Sequence, residues 1–210
     1  MNVSSKEISR PFITLTKLEP VLLYMFLFFP GVFADGTPAL SFFSIHALIN
    51  RILLFYLPAL FVLWFLLYRF HKLKKEEVYP CRRDIGVFIT TFTLLLCLQW
   101  FVQCLFPVDA LTTLRFSGTF IHYCSMVFLF LCAGYLEEGY FRFYLLRNNK
   151  KPSLIIFSTV LFALCHRSQG VPGMFNAACA GFLLSVIFKR SHSLHGIALA
   201  HGLYNIVQTL

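Results

Sequence analysis

The sequence predicts an all-α fold: a polytopic transmembrane bundle of about six to eight helices enclosing a polar cavity. Three observations carry that expectation. The chain of 210 residues is 58% hydrophobic and only 13% charged, whereas a soluble domain carries about 25% charged residues. Its apolar residues gather into runs at 21–34, 45–68, 85–106, 116–146, 153–166, 171–188 and 193–208. Its basic residues, finally, crowd into alternate loops. All of the 18 except Arg51, Arg115, Arg142 and Arg167 precede the first run or flank the ends of the second, fourth and sixth. That distribution puts those loops in the cytoplasm.

The runs differ in quality. The first is short and contains Pro30. With Lys6, Arg10 and Lys17 ahead of it and Val32-Phe33-Ala34 at its end, it also resembles a signal peptide with its cleavage site. A retained helix and a removed leader are both open. The second, third, fourth and sixth runs meet or approach the roughly 20 residues that cross hydrocarbon. The fifth and seventh are short and hold His166 and His201, so they span only if the bundle accepts polar groups.

The net charge of +9 is explained by the loops, and no basic-aromatic module for nucleic acid is present. Seven cysteines form no C-x-x-C pair, which leaves metal and redox spacing absent. Asp84 reads as a loop residue, and His192 and His195 as packing or interface residues.

The fourth run poses the main question. It carries Glu137, Glu138 and Arg142 within Cys132–Leu146. On one reading, residues 116–136 form the span and the glutamates mark its cytoplasmic exit. On the other, the apolar stretch continues to Leu146 and the charges are buried. Depth bears on the choice. Counted from the basic flanks at about 1.5 Å per residue, Glu137 lies about 15 Å deep, His201 about 16 Å, and His166 and Asn205 about 22 Å. The hydrocarbon core is about 30 Å thick, and ionisable groups at such depths face a cavity or a partner. Glu138 and Arg142 are i,i+4 and can pair along one helix. Glu137 is turned about 100° from Glu138 and can face elsewhere, where a carboxylate suits general-base chemistry. His201 and Asn205 are also i,i+4, so two hydrogen-bond donors share a face, as oxyanion stabilisation requires.

These residues resemble the CAAX prenyl endopeptidase and bacteriocin-processing (CPBP) family of intramembrane glutamic proteases. The three motifs are Glu137-Glu138-Gly-Tyr-Phe-Arg142, Phe162-Ala-Leu-Cys-His166 and His201-Gly-Leu-Tyr-Asn205, with Gly181 in a small-residue helix between the last two. Each is weak alone; three in order, each within an apolar run, are specific. The likeness covers about residues 120–210. It implies a single membrane domain with N-terminal helices at 1–115, which carry no motif, and a catalytic core at 116–210. It further implies that Glu137 activates water, that His166 binds and orients it, and that His201 and Asn205 stabilise the oxyanion. Glu138 and Arg142 would be a supporting pair, with no metal and no cofactor. The implied partners are a membrane-associated protein or peptide substrate and the lipid bilayer, in a multi-pass protein of a bacterial inner membrane.

Rival readings differ in class. A zinc protease could use the carboxylates and histidines, but H-E-x-x-H is missing. A thiol peptidase could use Cys165 and His166, but neighbours on a helix point apart. A non-enzymatic binding, immunity or transport protein could retain the same polar residues for packing or proton relay.

Overall fold

The computed structural model describes residues 18–28, 44–70, 77, 79–106, 119–149 and 151–209. Among them are seven helices and no strand. They are α1 (Leu18–Phe28), α2 (Ile45–Phe70), α3 (Arg82–Leu105), α4 (Phe120–Glu138, continued as a π-helical stretch over Gly139–Tyr144), α5 (Ser153–Cys165), α6 (Gly170–Ser191) and α7 (Leu194–Thr209). Val32-Phe33-Ala34 lies outside the described residues.

The count of spans is lower than expected. Among the described residues, four helical segments are long and apolar enough to cross a membrane: Ile45–Arg69, Arg82–Leu105, Phe120–Tyr144 and Arg167–Ser191. α1 and α5 are apolar but shorter, and α7 has 16 residues. Apolar content alone overcounts, because a run can be interrupted by a turn that hydropathy does not register. The outward faces are as apolar as the core. Phe61, Trp100 and Phe120 are 71%, 70% and 84% exposed, a surface that suits lipid and not water.

Helix ends are set by local chemistry. Ser44 caps α2 by accepting from Ala47 N at 3.3 Å. Asp84, expected in a loop, is buried in the first turn of α3. Its Oδ2 accepts from Cys81 N at 2.6 Å, and its other oxygen accepts from Ser193 Oγ. Ser193 in turn accepts from Gly196 N at 3.2 Å, capping α7. One buried carboxylate thus ties the starts of α3 and α7 together. α6 ends at His192, in the left-handed region with φ 51°.

The helices meet where side chains are small. A Cβ on Gly134 of α4 would stand 2.5 Å from Ala198 O of α7, and one on Gly202 would stand 3.0 Å from Phe130 O. Glycine at both positions lets the backbones of α4 and α7 approach closely. The basic ends gather at one level. Lys189 donates to Leu146 O at 3.0 Å, and Arg147 pairs with Glu77 at 3.2 Å.

Candidate active site

The π-helical stretch begins directly after Glu138. Such widened turns recur at functional sites because they re-aim side chains and loosen the backbone ladder. Ser158 of α5 donates to Phe141 O at 2.8 Å, which satisfies one carbonyl there. Glu138 and Arg142 are both fully buried and pair at 3.1 Å between Oε2 and Nε. This is the i,i+4 pair read from the sequence, and it favours the buried reading of the fourth run.

Arg142 has two further partners. Its Nη2 donates to Gly181 O of α6 at 3.0 Å, and its guanidinium lies 4.5 Å from the centre of the Phe162 ring, a cation–π contact. A Cβ on Gly181 would crowd Phe162 at 3.0 Å and Arg142 at 3.4 Å. The Phe of the second motif and the glycine of the small-residue helix therefore act together: the glycine leaves room for the guanidinium, and the ring supports it.

His201 stands between the two glutamates. Its Nδ1 lies 2.8 Å from Glu138 Oε1, so an Nδ1–H donated to that carboxylate orients the ring. Its Nε2 then faces Glu137 Oε2 at 3.7 Å. That distance is too long for a hydrogen bond, and Glu137 Oε2 is buried without a hydrogen-bond partner among the described residues.

His166 is not inside a membrane-crossing helix. It caps the end of α5 with φ −100° and ψ 13°, ahead of the 3₁₀ turn Arg167–Gln169. Its Nδ1 bonds Phe162 O at 2.9 Å. Its ring lies 4.7 Å from Phe162, and Phe162 lies 5.7 Å from His201. His166, His201 and Asn205 line a common cavity of about 50 Å³, enough for one or two waters. Glu137 does not line it; it reaches this group through His201. Cys165 directs its Sγ to Leu161 O and Tyr24, away from the bond that His166 makes.

Two polar features escaped the sequence reading. Gln99 of α3 accepts at Oε1 from Asn176 at 3.0 Å, Tyr204 at 2.9 Å and Gln208 at 2.8 Å. Asn176 and Tyr204 line the same cavity. A glutamine inside an apolar run was the available signal. His195, expected only to pack, lies 3.0 Å from Tyr135 OH through Nδ1.

A half-buried carboxylate near a histidine is a group able to take a proton from water and pass it on. Residues 119–207 match the family described as Type II CAAX prenyl endopeptidase Rce1-like. No curated protein and no solved structure matches the chain.

Proposed function

We propose that the chain, whose residues 119–207 match the family described as Type II CAAX prenyl endopeptidase Rce1-like, is a glutamic-type intramembrane endopeptidase. Its substrate is a membrane-associated protein or peptide. In this reading Glu137 takes a proton from water as the water oxygen attacks the scissile carbonyl carbon. The proton then passes to the leaving nitrogen as the C–N bond breaks. His201 and Asn205 donate to the oxyanion, and His166 helps to hold the water. Glu138, held by Arg142, orients His201. The N-terminal helices, residues 1–115, shape access to this core.

The observation that carries the proposal is the buried series Arg142–Glu138–His201, which ends opposite Glu137 Oε2, an atom with no hydrogen-bond partner among the described residues. Such an arrangement costs desolvation and supports chemistry better than packing. Membranes from cells making the wild-type chain and its Glu137→Gln form would be compared by proteomics. A precursor that accumulates only with Glu137→Gln, with turnover lower by about 10²–10⁴-fold, is expected. Wild-type turnover by a folded Glu137→Gln protein refutes the assignment.

A further inference from the structure

A much wider cavity than the one beside His201 is an apolar groove of about 630 Å³ between α3, α4 and α7. Ile85 and Phe88 of α3, Leu131 of α4, and Leu199, Leu203 and Ile206 of α7 line it. At 100° per residue these α7 positions lie roughly opposite His201, so α7 separates the groove from the candidate active site.

The groove has a polar end. A second cavity, of about 200 Å³, contains Arg83, Arg147 and His192. Cys81, Asp84 and His195 line both cavities, so the apolar groove and the polar cavity lie side by side and together offer an amphipathic space. The acidic groups there are already engaged. Asp84 accepts from Cys81 N and Ser193 Oγ, and Glu77 pairs with Arg147. Arg83 is exposed and has no ion pair among the described residues. The space therefore offers positive charge at the basic face of the bundle and hydrocarbon beyond it.

The length matches one leaflet. From His195 to Ile206 the groove follows α7 for about 16 Å, half of a hydrocarbon core about 30 Å thick. We propose that this space is a binding site for an anionic phospholipid, with one acyl chain in the groove and the phosphate beside Arg83. The inference depends on the membrane setting and not on the protease reading.

The test uses the purified full-length chain in detergent, delipidated and mixed with dioleoyl phosphatidylglycerol or dioleoyl phosphatidylcholine. Retained lipid is counted by native mass spectrometry. One phosphatidylglycerol per chain is expected, preferred over phosphatidylcholine by about fivefold, the effect of one arginine near a charged headgroup. Arg83→Gln should bring that ratio close to one, and Arg83→Lys should keep it. Leu199→Trp and Leu203→Phe, each checked for native helicity and elution volume, should lower retention of both lipids. Equal retention of the two lipids by the wild type overturns the proposal, as does a ratio indifferent to Arg83→Gln. Unchanged lipid retention in both groove-filling variants also overturns it. If those variants slow substrate cleavage while lipid retention stays constant, the groove belongs to a substrate segment and the lipid assignment falls.

Discussion

Replacing Arg142 by methionine asks how much of the site is held by charge. The guanidinium is fully buried, 3.1 Å from Glu138, bonded to Gly181 O at 3.0 Å and stacked on Phe162. Methionine replaces the chain only as far as Nε and carries no charge. It leaves the Glu138 carboxylate buried with His201 as its remaining polar partner. Breaking one side of a buried pair costs about 3–5 kcal/mol, a large share of the 5–15 kcal/mol that holds a domain together. The double variant Arg142→Met/Glu138→Leu removes both charges and should recover part of the loss, since apolar replacement of a whole buried pair is often neutral. Recovery stays incomplete because His201 Nδ1 then lacks its acceptor, at about 1–3 kcal/mol. Arg142→Lys should fall between, because a point charge cannot reproduce the planar bonding and stacking. Unfolding would be followed by far-UV circular dichroism as dodecyl sulfate is titrated into mixed micelles. An Arg142→Met protein within about 1 kcal/mol of wild type refutes this account of the site. A double variant no more stable than the single one does so equally.

Three further outcomes follow from the same geometry. Gly134→Ala drives a methyl to 2.5 Å from Ala198 O, and the α4–α7 contact should lose about 1–3 kcal/mol in the same assay; no loss would mean the helices are not so close. Ser193→Ala removes the donor to Asp84 and the cap of α7, for a loss of about 1–3 kcal/mol; an unchanged midpoint would deny that link a stabilising role. Incubation with a strong zinc chelator should leave peptide hydrolysis intact, because Glu137 is assigned the activation of water without a metal. Activity lost to the chelator and restored by zinc would transfer the water to a metal.

Much of this molecule is local, and the local part was legible. Helical runs follow from apolar stretches. The Glu138–Arg142 pair follows from an i,i+4 spacing, and the three ordered motifs marked a region of about 120–210, which the family comparison matches over 119–207. Less legible was where short apolar runs end. α5 stops at Cys165, and His166 turns the chain instead of continuing the helix. Asp84 looked like a loop residue because the partner that buries it against α7, Ser193, lies 109 positions away.

By itself, the sequence determined an all-α membrane protein, the location of its helices and the identity of the polar residues they carry, because composition and helical period act over a few neighbouring residues. Only the tertiary structure decided that His201 sits between Glu137 and Glu138, that Phe162 and Gly181 cradle Arg142, and that the wide groove lies behind α7. Those relations depend on how closely the helices approach and how they are rotated. That is set by small contacts such as Gly134 against Ala198, between residues far apart along the chain.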